Sequence, residues 1–389
     1  MQSVENQNKA VVSLRRCESY DDEQVKEAVV AAVEDLGGFA PYISPGERVL
    51  LKVNLLMKKR PEEVATTHPA FVKALAELLI QYGAKVVIGD SPGGPFNEMM
   101  LRGIYRTTGM AEVAAQTGAS LNQNYGAARR DNPEGRYLKS LVVADMLNDV
   151  DKVISVSKLK THGMMTFTGA VKNMFGIVPG IDKAAYHMNM PAHDDFSNAL
   201  VDICLCASPV LSFMDGIEGM EGAGPSGGTP RKVNVVLASD SPYHLDKAAV
   251  SIINLPFERV PTIWQSITRG LCAPGLEDVE LRGGSIEEFL IPDYHIPETK
   301  LLMPEGRHIP AFVKGFVNKH VQPRPIFHHQ PCVGCGVCEE NCPAKVITMT
   351  DRKPSADLTK CIRCFCCQEL CPAKAITIHR PMILRMVTK

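Results

Sequence analysis

CVGCGVCEENCP, running from Cys332 to Pro343, is answered 29 residues later by CIRCFCCQELCP, from Cys361 to Pro372. Both runs place cysteines at i, i+3, i+6 and i+10 with proline next, and PAKVIT after the first proline matches PAKAIT after the second. Three cysteines so spaced wrap one short loop around an iron–sulfur cube, while the fourth, fixed by its proline, ligates the other cube. The expected ligands are therefore Cys332, Cys335, Cys338 and Cys371 for one [4Fe–4S] cluster, and Cys361, Cys364, Cys367 and Cys342 for a second. Zinc sites use four ligands, typically as separated Cys-x2-Cys pairs, not two interleaved sets of three plus one. A disulfide framework needs an oxidising compartment, to which nothing else in the chain points.

Over about 50 residues this stretch resembles the bacterial-type two-cluster ferredoxin domain. It departs from that pattern at Cys366, an extra cysteine beside Cys367. Taking Cys366 as ligand breaks the spacing on both sides, so it reads as a spare thiol packed against the cluster.

The remainder is long enough for a large core. The chain has 389 residues, 45% hydrophobic and 22% charged, with net charge −1. Those values are ordinary for a soluble globular protein and speak against a general binder of nucleic acid or anionic membranes. The polar N-terminus carries no apolar signal core, and no apolar run approaches the length of a membrane helix. The expected location is cytoplasmic, with Cys17, Cys204, Cys206, Cys272 and Cys366 as reduced thiols.

Strand and helix alternate through the first 290 residues. Ala10–Leu14, Arg48–Leu56, Lys85–Gly89, Lys152–Ser157, Val210–Met214 and Val233–Ala238 read as strands. Helices are expected after Asp21, after Thr66 or Thr67 with Pro69 in the first turn, over Thr166–Phe175, near Asp194–Ala207 and over Pro242–Asn254. Strands separated by helices require crossover connections, so the expected class is α/β, a mainly parallel sheet with helices on both faces. A small α+β ferredoxin-like domain follows. The expected boundaries are residues 1–290 for the α/β domain, 291–327 for a proline-rich connector with one helix near Phe312–His320, 328–380 for the cluster domain and 381–389 for a tail.

Between residues 158 and 187 lie Lys158, Lys160, Lys172, Lys183, His162 and His187, against one acid, Asp182. Lys158 and Lys160 end an apolar strand, and ligands of open α/β sheets bind beyond the carboxyl ends of the strands. An anionic ligand is expected there, with Lys160, His162 and Lys172 as the catalytic cations. Thr66-Thr67-His68-Pro69 opens a helix whose free N–H groups favour anions, and Asp90-Ser91-Pro92-Gly93-Gly94 forms a second turn facing the same crevice. Gly222-x-Gly224-x-x-Gly227 matches a dinucleotide fingerprint only as text. Pro225 and Pro230 flank its last glycines and no helix follows. A loop carrying Glu218 and Glu221 over the site is the alternative.

Taken together, Lys52-Val53-Asn54, Thr66–Pro69, Gly89–Gly94, Lys158–His162, Lys172–Gly176 and Met214–Pro225 resemble the domain-of-unknown-function 362 proteins across Val49–Asp246. Several members of that family carry a C-terminal ferredoxin module, and the residues expected to bind the ligand are Lys52, Asn54, Thr67, His68, Asp90, Ser91, Lys158, Asn173, Asp215 and Glu221. Two functions of different class follow. One is a reductase passing single electrons from a redox protein donor, through two [4Fe–4S] clusters, to an anionic small molecule. The other is a non-catalytic electron-transfer or cofactor-maturation partner of another redox protein.

Overall fold

Short apolar runs alternating with capped amphipathic stretches build one mixed sheet covered on both faces. The computed structural model describes residues 9–190, 192–297 and 323–379. β1 (Ala10–Arg16) leads to α1 (Asp22–Asp35), β2 (Arg48–Val53) to α2 (Pro69–Tyr82), and β3 (Lys85–Gly89) to α3 (Glu98–Thr107) and α4 (Met110–Thr117). After β4 (Ser120–Leu121), β5 (Ala127–Asp131) and β6 (Ser140–Ala144) form a separate hairpin. β7 (Lys152–His162) and the short β8 (Thr166–Phe167) precede α5 (Gly169–Asn173), α6 (Lys183–Asn189) and α7 (His193–Ala207). β9 (Leu211–Glu221), β10 (Thr229–Ser239), α8 (Pro242–Ile252), α9 (Pro261–Thr268), β11 (Val279–Arg282) and α10 (Ile286–Phe289) complete this body.

The strand order is β11-β1-β10-β9-β7-β2-β3-β4, with β8 folded back on β7. Within that row only β10 runs against the rest. The chain leaves β2 for β3 and β4 on one side and returns to β7 on the other, so the topological switch lies between β2 and β7, where open sheets part at their carboxyl edge. Period-two alternation sorts the faces: Val49, Leu51 and Val53 pack with α1 and α2, while Leu50 packs with α7. Lys52 follows Leu50 and so turns toward the α5 side.

The C-terminal module pairs β12 (Arg324–Phe327) with β15 (Ile376–His379), and β13 (Ile347–Thr350) with β14 (Lys353–Ala356). One-turn helices cover Val337–Glu340 and Cys366–Glu369. The 29-residue repeat recurs in the backbone. Gly334, Gly336 and Lys345 have φ of 68°, 77° and 50°, and their counterparts Arg363, Phe365 and Lys374 have 59°, 59° and 51°. Two non-glycine residues thus accept a left-handed conformation that glycine adopts freely in the first half.

Several expected boundaries shift, each for a visible reason. β7 continues to His162 because Met220 partners Lys160 and Phe167 partners Thr161. The segment expected as a helix from Thr166 begins with β8, and only Gly169–Asn173 is α-helical before a 3-10 turn. His68, not a threonine, caps α2: its ring nitrogen accepts from Ala70 N at 3.2 Å. Thr67 is engaged elsewhere, donating to Val156 O at 2.9 Å and accepting from Asn54 N at 3.0 Å. Most of the connector, its expected helix near Phe312–His320, and the tail 381–389 lie outside the described residues.

Candidate functional site

Beyond the carboxyl ends of β2, β3 and β7, a crevice of about 490 Å³ opens between the sheet and the C-terminal module. The sheet side supplies Lys52 from β2 and Asn54 just after it, Asp90 and Ser91 after β3, and Lys160 from β7. α5 adds Lys172 and Asn173, α6 adds Lys183 and His187, and the module closes the other wall with Glu340, Cys342, Lys345, Cys366, Glu369 and Leu370. That volume is typical of a small-molecule site.

The lysines differ in what neutralises them. Lys52 lies 2.6 Å from Asp90 Oδ1 and donates to Val53 O at 2.7 Å. Gly176 is required here, because a Cβ at that position would fall on Asp90 Oδ1 and Lys52 Nζ. Lys160 Nζ instead donates to two neutral acceptors, Asn54 Oδ1 at 2.7 Å and Ala65 O at 2.6 Å. Lys183 Nζ donates to Ser91 O and to Val178 O at 2.7 Å. Lys172 Nζ has no hydrogen-bond acceptor among the described residues and sits 5.8 Å from the Phe175 ring centroid. Burial drives Lys160 and Lys183 down to about 7, and also lowers Lys172. Lys160 is fully buried, and Lys172 and Lys183 are half-buried. Among the described residues none of the three has a carboxylate within ion-pair distance, although Glu369 favours the charged form of all three. Holding them charged there is costly unless an anion arrives. Ser91 Oγ, Thr168 Oγ1 and His187 Nδ1 are buried there without hydrogen-bond partners among the described residues.

Cys332, Cys335, Cys338 and Cys371 line one small cavity of the module, with Val333, Val337, Met349 and Ile376 around them. Cys342, Cys361, Cys364 and Cys367 line another, with Val346, Ile347 and Phe365. The fourth cysteine of each run is matched in its support: Val346 N donates to Cys342 Sγ at 3.5 Å and Ala375 N to Cys371 Sγ at 3.2 Å. Such amide donors favour thiolate ligands. Among the described residues, no three His, Cys, Asp or Glu side chains converge as a single metal ion requires. Thiols ringing a cavity suit a cube better than one zinc ion. Cys342 lines both its own cavity and the crevice.

The residue ranges match known families. The model described as "Domain of unknown function (DUF362)" matches residues 49–251. The chain belongs to the DUF362 family. Residues 331–375 match a 4Fe-4S dicluster domain, so the protein is an iron–sulfur protein with a ferredoxin-type module. The "Thylakoid-associated protein sll1697" of Synechocystis sp. is 32% identical over 304 residues, covering 78% of this chain and 92% of that protein. The lactate racemase apoprotein from Thermoanaerobacterium thermosaccharolyticum aligns structurally with a TM-score of 0.38 and 14% identity. That alignment covers 61% of this chain and 56% of the racemase chain. Among the described residues no helix is long and apolar enough to cross a membrane.

Within the DUF362 core, the expected site residues divide. Lys52, Asn54, Asp90, Ser91, Lys160, Lys172 and Asn173 line the crevice. Lys158 does not: it pairs in register with Asp215, Nζ to Oδ2 2.8 Å, and donates to Tyr20 OH at 2.6 Å. Asp215 also accepts from His68 N at 3.0 Å and from Tyr20 OH at 2.8 Å, while the His68 ring stacks on Tyr20 at 3.6 Å. Those residues and Thr67 form a polar knot that ties β9, β7 and α2 together. Glu221 accepts from His295 N at 2.9 Å, because β9 extends through it instead of looping over the site. His162 lies behind the crevice wall, its Nδ1 accepting from Met164 N and Met165 N at 3.1 and 3.2 Å. Burial, with Lys172 and Lys160 nearby, pushes its pKa well below the usual histidine range, so it is a neutral imidazole and not a proton donor at neutral pH.

Lys183 and His187 line the cavity from the same basic stretch, and no motif singled them out. Burial, with Lys172 nearby, lowers the His187 pKa to about 3, so its ring is neutral there. Glu369 and Leu370 come from the module, and sequence alone gives no register between the two domains. Gln368 Nε2 donates to Ala223 O at 3.3 Å, Ser226 Oγ donates to Glu369 O, and Leu370 fills the space above Gly93. Cys366 faces the crevice while its neighbours face the cysteine cavity, and its thiol hydrogen-bonds Cys364. Cys366→Ser is therefore expected to keep the full iron and sulfide content, and Cys367→Ser to lose part of it. The reverse pattern in iron and sulfide assays would place the second motif in another register.

Proposed function

We propose that the protein is a cytoplasmic iron–sulfur reductase acting on an anionic small molecule held in the crevice. The observation that supports this reading best is Cys342, which belongs at once to a cysteine cavity and to the wall of the lysine-lined crevice. Cys332, Cys335, Cys338 and Cys371 would hold one [4Fe–4S] cluster, and Cys342, Cys361, Cys364 and Cys367 the other. When bound, the two clusters supply single electrons between an external redox protein and the crevice, so that two electrons reduce one acceptor molecule.

The protein's own residues do the rest. Cys335 is exposed and Val333 is 57% exposed, which leaves the first cysteine set open to a protein donor. Arg352 Nη2 donates to Val333 O at 3.1 Å and Lys353 Nζ to Cys332 O at 3.3 Å, bringing positive charge to that rim. In the crevice Lys160, Lys172 and Lys183 bind the anion and offset the charge that builds on it. Lys160 and Lys183, both brought to about 7, are matched to give a proton at neutral pH and recover it from solvent. The closely fitted contact of Leu370 on Gly93 limits water.

Anaerobic purification followed by iron, sulfide and small-molecule analysis tests this. About eight iron and eight acid-labile sulfides per chain are expected. Protein reduced beforehand is expected to be reoxidised by anionic acceptors far faster than by neutral analogues. Tightly bound zinc with little sulfide overturns the cofactor assignment. Reduced protein indifferent to every anionic acceptor overturns the reductase reading.

A further inference from the structure

We infer that the crevice takes a small organic dicarboxylate, its two anionic ends seated in two subsites that share Lys172. This rests on reading the crevice as a ligand site and goes further by naming the ligand class. Lys160 and Lys183 each commit two N–H groups to neutral protein acceptors, leaving one apiece to point elsewhere. Lys172 commits none among the described residues. Its ammonium and that of Lys183 lie 5.8 and 5.6 Å from the centroid of one ring, Phe175, so the two share a neighbourhood. Lys172 also depresses the pKa of both Lys160 and Lys183, as a central cation would.

The orphaned hydroxyls divide the same way. Thr168 N donates to Lys160 O at 3.0 Å, so Thr168 lines the crevice beside the main chain of Lys160, and its Oγ1 has no hydrogen-bond partner among the described residues. Ser91 O accepts from Lys183, so the unpartnered Ser91 Oγ belongs to the Lys183 end. Each end thus offers one lysine, one hydroxyl and a share of Lys172, which suits one carboxylate. Between them Leu56, Phe175 and Met188 give the crevice an apolar wall for a carbon chain. Charge points to the same valence. With Lys52 matched to Asp90, four lining lysines face two glutamates, Glu340 and Glu369, which leaves two positive charges once an arriving dianion keeps Lys160 and Lys183 protonated. A single tetrahedral anion would fill one end and leave the other cation unserved.

The test is calorimetric titration of anaerobically purified, cluster-loaded full-length protein with succinate, glutarate, adipate, acetate and inorganic phosphate. One dicarboxylate of the series should bind roughly tenfold to a hundredfold more tightly than acetate or phosphate, the gain of a second charge-assisted contact. Lys172→Met should weaken that dicarboxylate by about a hundredfold or more, since it serves both ends. Lys160→Met and Lys183→Met should each reduce it to acetate-like affinity. Iron content and melting temperature, measured on every variant, separate lost binding from lost folding. Phosphate equal to the best dicarboxylate, no dicarboxylate binding, or a well-folded Lys172→Met of unchanged affinity overturns the proposal. A dicarboxylate that binds as described but never reoxidises the reduced clusters leaves this inference standing and removes the reductase reading.

Discussion

Replacing Cys342 with serine is expected to lower iron from about eight to about four atoms per chain and to cut electron delivery to the crevice. Cys342 lines the cavity of Cys361, Cys364 and Cys367, 19 or more residues downstream, and not that of its own run. Its loss strips the fourth ligand from the crevice-side set and leaves the outer set, closed by Cys371, intact. Double substitution makes the interleaving measurable. Cys342→Ser with Cys361→Ser should lose no more iron than either change alone, because both strike one cluster. Cys342→Ser with Cys332→Ser should lose nearly all. The opposite pairing would mean that each run closes its own cluster, and the crevice would then face the wrong one. In Cys342→Ser protein the remaining cluster should still be reduced by an external donor, while transfer to an anionic acceptor stops.

How much of this was written in the sequence follows from which interactions are local. The ligand spacing is local, and eight cysteines with two prolines carry it completely. The strands were readable because their apolar runs are short and bounded by glycine or capping residues, and the parallel order follows from the intervening helices. The crevice was half readable. Lys52, Asn54, Asp90 and Lys160 all stand at strand ends, and strand ends share an edge. Which lysine is already neutralised was not readable, because the deciding partners are remote. Asp215 is 57 residues from Lys158, and Asn54 is 106 from Lys160. Periodicity cannot separate the two lysines either, since they are two apart on one strand and share a face. What separates them is a break in the register with β9. β2 leaves β7 after Val156, before either lysine, and the β7–β9 register then breaks between the two, so Lys158 stays opposite Asp215 while Lys160 comes opposite Met220 and its ammonium reaches the opening.

That difference sets opposite expectations for one chemical change at two neighbouring positions. Lys158→Met leaves Asp215 fully buried without its ammonium 2.8 Å away, and breaking a buried ion pair from one side costs about 3–5 kcal/mol. The variant should melt well below the parent yet keep the crevice and its anion affinity in the molecules that remain folded. Lys160→Met orphans no carboxylate, since the partners it leaves are Asn54 Oδ1 and Ala65 O. It also removes an amine that burial lowers from 10.5 to about 7. Between those pH values the unfolded chain holds a proton that the folded chain has released, so the parent gains stability as pH rises through that window. Lys160→Met should lose that slope and melt at or above the parent near neutral pH, while losing anion binding and turnover. Thermal unfolding of both variants between about pH 6 and pH 9, paired with anion titration, decides the matter. If Lys160→Met proves as damaging to stability as Lys158→Met, then Lys160 is a structural cation like its neighbour and the anion site loses its best-placed residue.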